Sequence, residues 1–214
     1  LLHHLATLCA AGMTERGECG YTFPNESSEK SFRRCGWTEL GAVPLMTRPA
    51  APAAARSSLI LPVSSLGAEA SAAWRDSGLE VGVERDADYL EWRYSKPGKR
   101  YERYILGDGE GYAVLKHYSR EGVRVTHICD AVVREDRRDL LPAALAALAA
   151  RAAEEGSTTL TAWLLPGHPY SASYSAAGFA VSATKRFIFV MTSGRPAIAQ
   201  AAAWHLTQGD SDVY

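Results

Sequence analysis

The sequence predicts a mixed α+β protein built on a central, mostly antiparallel sheet flanked by helices, and three observations carry that expectation. A fifteen-residue stretch occurs twice with its landmarks in register: Phe23-Pro24, Ser31-Phe32 and Gly36-Trp37 in one copy, Leu165-Pro166, Ser173-Tyr174 and Gly178-Phe179 in the other. Pro to Gly is twelve residues and aromatic to Gly is four in both copies, and such repetition points to related structural units. Between the copies, apolar and β-branched runs alternate with Gly-containing turns over residues 101–133, the pattern of a three-stranded meander. An Ala/Leu-rich segment from Arg137 to Glu155 follows, with Leu140, Leu141, Leu145 and Leu148 on one helical stripe.

Taken in order, residues 1–17 read as a helix, because Leu1, Leu2, Leu5, Leu8 and Cys9 share one face. The chain opens on Leu1 without a basic leader, so its start is expected to fall inside a helix of a longer unit rather than at a signal peptide. A short strand is expected from Gly20 to Phe23 and a helix from Ser27 to Cys35, capped by Asn25 or Ser27 and closed by Gly36. Trp37 to Met46 reads as a strand, and Pro44, Pro49, Pro52 and the Ala50–Ala55 run as a linker. Ser58 to Val63 suits a strand or a docked connector; Ala68 to Asp76 and Asp86 to Tyr94 suit helices. The meander strands are Tyr101–Leu106, Tyr112–Tyr118 and Val123–Val133. Gly107-Asp108-Gly109-Glu110-Gly111 joins strand to strand and is therefore a hairpin turn rather than a phosphate loop. Beyond the long helix come a strand at Thr158–Leu165, a helix at Ser171–Ala177, a strand at Arg186–Met191, a terminal helix at Pro196–His205 and a solvated polar tail.

Composition narrows the function. Of 214 residues, 47% are hydrophobic and 22% charged, with a net charge of -1, so nothing marks a surface for nucleic acid or an anionic membrane. No apolar stretch reaches the roughly 18 residues that span a bilayer. The four cysteines (Cys9, Cys19, Cys35, Cys129) are scattered without metal-ligand spacing. They read as free thiols in a reducing, cytoplasmic setting, with no zinc site or disulfide framework predicted.

The element order (helix, three-strand meander, long helix, strand, helix, strand) resembles the GCN5-related N-acetyltransferase (GNAT) fold. So do the residues of the two copies. The family's last helix often carries Asn-x-x-Ala/Ser-x-x-x-Tyr-x-x-x-Gly-Phe. The first copy reads Asn25, Ser28, Phe32, Gly36, Trp37 and the second Gly167, Tyr170, Tyr174, Gly178, Phe179. The resemblance implies a tandem arrangement. Residues 1–48 would be the C-terminal half of a truncated GNAT-like domain and 49–74 a connector. A whole GNAT-like domain would follow at 75–193, then a C-terminal helix and tail at 194–214.

It also implies a cosubstrate, acetyl-CoA or another acyl-CoA, with its pyrophosphate on the amides at the start of the long helix, where the helix dipole favours an anion. In this chain Val132, Val133, Arg134, Arg137 and Arg138 occupy that place, and Asn25 is the pantetheine or capping contact of the first copy. The stretch from Val133 to Asp139 holds no Gly, a departure from the family's Gly-containing loop, and Glu135, Asp136 and Asp139 offset its arginines. Tyr174 is the implied catalytic acid, a phenol able to protonate the leaving thiolate. His127 and Asp130 could act as base and orienter, but their odd spacing puts them on opposite faces of a regular strand. Two functions stay open. One is an acyl-CoA-dependent N-acyltransferase acting on an amine of a small molecule or amino sugar. The other is a non-catalytic GNAT-like binding or dimerisation module, in which a homodimer could form.

Overall fold

The computed structural model describes residues 19–53, 57–98, 100–191, 198 and 200–211, with 183–191 described as backbone only. Among the described residues, nine of ten strands and the five α-helices follow in this order along the chain. β1 (Gly20–Thr22), α1 (Glu26–Arg34) and β2 (Thr38–Pro49) come first. β3 (Ile60–Val63), α2 (Ala68–Arg75), β4 (Val81–Gly82) and α3 (Ala87–Tyr94) follow. Then come β5 (Tyr101–Leu106), β6 (Gly111–Arg120), β7 (Val123–Val133), α4 (Leu141–Glu154), β8 (Thr159–Trp163), α5 (Ser171–Ala176) and β9 (Ala180–Met191). The tenth strand, β10 (Trp204–His205), pairs in parallel with β4 in a separate two-stranded sheet.

The main sheet has eight strands in the order β1-β9-β2-β8-β7-β6-β5-β3. Every neighbouring pair is antiparallel except β7 and β8. One face packs Leu141, Leu145 and Leu148 of α4 and Tyr174 of α5 against Leu115, Ile128, Val133 and Leu160. The opposite face packs Ala70 and Trp74 of α2 and Leu90 and Tyr94 of α3 against Tyr112, Val114, Cys129 and Val132. A third cluster joins Val43, Trp163 and Leu165 to Trp204 and Leu206 of the C-terminal segment. Among the described residues no helix is long and apolar enough to cross a membrane.

The two sequence copies fold alike. Each is a strand, a Pro-containing turn, a helix and a second strand. In both, the glycine after the helix has a positive φ (+80° at Gly36, +83° at Gly178), a conformation that favours a residue without Cβ. The Trp37 amide donates to the Phe32 carbonyl (3.2 Å) as the Phe179 amide does to Tyr174 (3.0 Å). The two aromatic pairs meet edge-on with centroids 5.1 Å and 5.0 Å apart. The copies also interlock: β9 lies between β1 and β2, and β2 lies between β9 and β8. Each unit thus places its second strand between the two strands of the other, and both contribute to one continuous sheet.

Several expectations need correction. Pro44 and Pro49 belong to β2, not to a linker; its ladders skip a residue near Gly41 and between Pro44 and Met46, irregularities at which proline is tolerated. Of the two alternatives for Ser58–Val63 the strand is the one formed, Ile60–Val63 pairing along its length with β5. The expected terminal helix is not formed where it is described: Ala201–Ala203 is a single 3-10 turn and Trp204–His205 a strand. The described part of the polar tail is not solvated, since Gly209 and Ser211, with Gln208 before them, are buried; Asp212 lies outside the described residues. Gly209 fits there because a Cβ would overlap the Tyr94 hydroxyl and lie 2.6 Å from the Cys129 carbonyl oxygen. The helix expected over 1–17, with Cys9, lies outside the described residues. Cys19, Cys35 and Cys129 are free thiols.

Candidate functional site

β7 and β8 run side by side for only three residue pairs, Val125 with Thr159, Thr126 with Leu160 and His127 with Thr161, and then part. Parting begins at a bulge in β7. The ladder to β6 pairs Ile128 with Leu115 and Asp130 with Val114, leaving Cys129 as the extra residue. A bulge reverses the inside–outside alternation beyond it, so Cys129 and Asp130 both turn to the α2/α3 face. His127 lies on that face too, its ring 6.1 Å from Tyr118 and its Nδ1 2.7 Å from Thr161 Oγ1. The regular-strand expectation for His127 and Asp130 is therefore overturned. They share a face yet serve different partners.

Asp130 is the centre of a buried polar cluster. Its Oδ2 accepts from Arg85 Nε (2.8 Å), from the Tyr112 hydroxyl (3.0 Å) and from the Tyr94 hydroxyl (3.4 Å). Its Oδ1 lies 3.3 Å from His205 Nε2. Burial alone would raise the Asp130 pKa, but Arg85 and His205 outweigh it and hold the carboxyl ionised, below the ordinary carboxylate range. Arg85 is itself fully buried, stacks over the Trp74 ring at 4.8 Å and also donates to Asp210 Oδ2 (2.8 Å).

The hydrogen bonds fix the histidine tautomers. The Tyr170 amide donates to His168 Nδ1 (3.0 Å), so His168 carries its proton on Nε2, which faces His205 Nδ1 at 3.1 Å. His205 in turn carries its proton on Nε2, facing Asp130. Both rings are neutral. Burial, with His205 and Arg138 nearby, pushes His168 down to about 2, and burial lowers His205 despite its bond to Asp130.

Two side chains bridge the parted strands. On the α4/α5 side, the Val133 amide donates to the Tyr170 hydroxyl oxygen (3.1 Å) and that hydroxyl donates to the Val133 carbonyl (2.9 Å). On the α2/α3 side, Gln208 donates from Nε2 to the Ile128 and Thr161 carbonyls (both 3.3 Å) and accepts from Thr161 Oγ1 (3.1 Å), the orientation that satisfies both ends of its amide. The neighbouring segment is tied down by Arg93, which donates to the carbonyls of Gly209 (2.6 Å) and Ser211 (2.9 Å).

A scan against protein-family models gives no match, and a search of curated proteins gives none. Solved structures do match. A GCN5-related N-acetyltransferase from Anabaena variabilis superposes with a TM-score of 0.64 at 10% identity, over 90% of this chain and 50% of that one. A conserved protein of unknown function from Enterococcus faecalis gives 0.60 at 12% identity, over 88% and 48%. N-myristoyltransferase from Saccharomyces cerevisiae, with bound myristoyl-CoA, gives 0.52 at 8% identity, over 72% and 51%. The chain has the GNAT fold. It spans about half the length of the first two structures it matches.

Within the GNAT fold the sequence-predicted residues scatter. Tyr174 is 4% exposed in the α4/α5 core, edge-on to Phe179, and burial raises its pKa. Its ring does the packing that Phe32 does in the first copy. Asn25 caps α1: its Oδ1 accepts from the Ser28 amide (2.9 Å) and the Ser27 hydroxyl (2.8 Å), and Ser28 Oγ accepts in return from the Asn25 amide (3.1 Å). Val132 and Val133 are buried on opposite faces of the sheet. Arg134 pairs with Asp136 (3.3 Å), and Arg137 with Glu110 and Asp139. Arg138 donates to the Ser77 carbonyl (3.0 Å) and lies 3.5 Å from Glu135.

An acyl-CoA entering between β7 and β8 would need donors for its phosphates and would have to satisfy the peptide groups of the parted edges. The residues of this unit do not fit it. Arg134, Arg137 and Arg138 are engaged with acidic and carbonyl partners, and the chain from Glu135 to Leu140 is a 3-10 helix without glycine. The Val133 peptide is taken by Tyr170.

Of the residues that do converge here, Arg85, His168, His205 and Gln208 escaped the sequence reading, while Tyr170 entered it only as a position of the repeated pattern and Asp210 only as part of the polar tail. One signal was available. Thr207-Gln208-Gly209-Asp210 has the spacing of a capping box, and it forms one, the Thr207 amide donating to Asp210 Oδ2 at 2.8 Å. Elsewhere, Glu102, His117 and Glu155 bring ligand-type atoms within 4.8 Å of one another. Arg151 donates to both Glu102 (2.8 Å) and Glu155 (2.5 Å), and Arg124 to Glu155 (3.1 Å). The set is an ion-pair network with its positive charge already supplied. Burial would raise Glu102, but its bonds to His117, Tyr104 and Arg151 hold it at about 2.

Proposed function

We propose that this chain is the trailing part of an acyl-CoA-dependent N-acyltransferase that moves an acyl group to an amine of a small molecule or amino sugar. The interlocked repeat carries the reading. The GNAT fold here includes a second strand–helix–strand, 20–49, woven into the same sheet, and the chain covers half of longer GNAT structures. In that arrangement the leading unit, to which β1, α1 and β2 belong, holds the acyl-CoA. The unit from β3 to β9 supports it and shapes the acceptor side. Tyr174 then packs, as Phe32 does, and Tyr174→Phe leaves turnover unchanged; a large loss of kcat would instead put the thioester beside Tyr174.

The test is a melting-temperature series with CoA and acetyl-CoA up to millimolar concentration, because a ligand that binds only the native state raises the transition in proportion to occupancy. A rise, followed by acyl transfer to a panel of amines, supports the enzyme. The absence of any rise with the complete protein removes it. A second reading, a GNAT-like module that binds an acceptor or pairs without catalysis, is favoured by the filled gap at Tyr170 and predicts neither CoA binding nor acyl transfer.

A further inference from the structure

We infer that the gap between β7 and β8 is closed to acyl-CoA by Tyr170, which takes both hydrogen-bonding groups of the Val133 peptide, and that this unit of the GNAT fold is a joint rather than a cosubstrate site. The inference goes beyond the proposed function, which places the acyl-CoA in the other unit, and does not depend on it.

Strand edges that part inside a protein leave N–H and C=O groups that must find partners, since a buried orphan costs as much as a lost hydrogen bond. An extended, amide-bearing ligand arm could satisfy them. Here a side chain of the protein does so. The Tyr170 hydroxyl is donor and acceptor at once, 2.9 Å from the Val133 oxygen and 3.1 Å from its nitrogen. Tyr170 is 1% exposed, so the contact is shielded from bulk solvent.

The segment holding Tyr170 is fixed from the other face as well. The Tyr170 amide donates to His168 Nδ1, and His168 leads through His205 to Asp130, the first residue past the β7 bulge. One stretch of three residues therefore grips β7 at two points, the Val133 peptide and the Asp130 carboxylate. Across the sheet Gln208 grips β8 through Thr161 and β7 through Ile128. A ligand arm would have to break contacts on both faces. The phosphate end fails independently, because Arg134, Arg137 and Arg138 already face Asp136, Glu110 and Glu135.

The Val133 amide is a local reporter. In the 15N-labelled chain, titration with CoA and acetyl-CoA to millimolar concentration leaves the Val133 resonance unmoved, whether or not other amides shift. Tyr170→Phe keeps the ring but removes the hydroxyl; the fold persists, and Val133 amide exchange accelerates by roughly five- to tenfold, the loss of one ordinary hydrogen bond. Tyr170→Ala opens the Val133 end of the gap, and pantetheine, which carries no phosphate, now shifts Val133. A CoA-dependent Val133 shift in the unaltered chain overturns the inference. So does Tyr170→Phe with unchanged Val133 exchange, or Tyr170→Ala with a native spectrum and a Val133 amide still blind to pantetheine. A melting-temperature rise with CoA and a silent Val133 leaves both readings standing, whereas no binding anywhere removes the proposed enzyme and leaves the closed gap intact.

Discussion

The leading strand–helix–strand (20–49) and the trailing one (159–191) share a backbone plan but not a chemistry. Both turn from helix to strand through a positive-φ glycine and an edge-on aromatic pair. In the leading copy α1 has no fully buried residue, and its N-terminus is closed by the Asn25 capping box. In the trailing copy α5 buries Tyr174, and the residue before the helix, Tyr170, reaches across to β7. The same scaffold thus carries an exposed, self-capped helix in one place and a helix that locks a sheet in the other. Repetition of fold does not carry repetition of site, because the site depends on side chains that the backbone plan leaves free.

The largest expected effect lies in the part of the trailing unit without a leading counterpart. Arg85→Ala leaves Asp130 and Asp210 as buried carboxylates without their cation, and is expected to cost about 3–5 kcal/mol in urea unfolding. A loss below about 1 kcal/mol would mean that the cluster is wetter than its burial implies. Next come the paired aromatics. Tyr174→Ala empties a core position and should cost about 3–5 kcal/mol, and Phe32→Ala, only half-buried, about half as much. Equal losses would erase the distinction between the copies.

Acid sharpens the comparison further. His168 and His205 are neutral in the fold and titrate below the ordinary histidine range, so the unfolded chain binds more protons as pH drops below about 6.5. Stability then falls with pH. With His168 at about 2, its share is about 2 kcal/mol by pH 5. His127, lowered to about 4 by burial and by Lys116 and His117, adds in the same direction. Below about pH 4 the depressed carboxyls of Asp130 and Glu102 extend the loss. His168→Gln should flatten the slope between pH 6.5 and 5; an unchanged slope would assign the acid sensitivity elsewhere. The smallest effect is the one expected to be equal. Gly36→Ala and Gly178→Ala both force a side chain into the left-handed region with open space around it, and each should cost about 1–2 kcal/mol. A marked inequality would show that the two turns are less alike than their backbones.

Much of the architecture was legible in the residues. The repeat, the meander, the long Ala/Leu helix and the hairpin turn at Gly107–Gly111 follow from spacing and turn chemistry, which act within a few residues of one another. Where the reading failed, a distant partner decided. Pro44 and Pro49 read as linker, yet the pairing of β2 between β8 and β9 draws them into a strand. The polar stretch after Trp204 read as a solvated tail, yet Arg85 and Arg93, more than a hundred residues earlier, hold it inside.

The sequence by itself determined most of the local vocabulary: the meander, the long helix, the turns that close both repeated helices, and that one strand–helix–strand occurs twice. Only the tertiary structure decided that the two copies interlock, that a one-residue bulge at Cys129 turns Asp130 towards Arg85, and that Tyr170 meets the Val133 peptide. The reason is physical. Propensity, capping and periodicity are properties of neighbours along the chain, whereas a buried charge or an orphaned peptide group is satisfied by whatever the folded chain brings within about 3 Å of it.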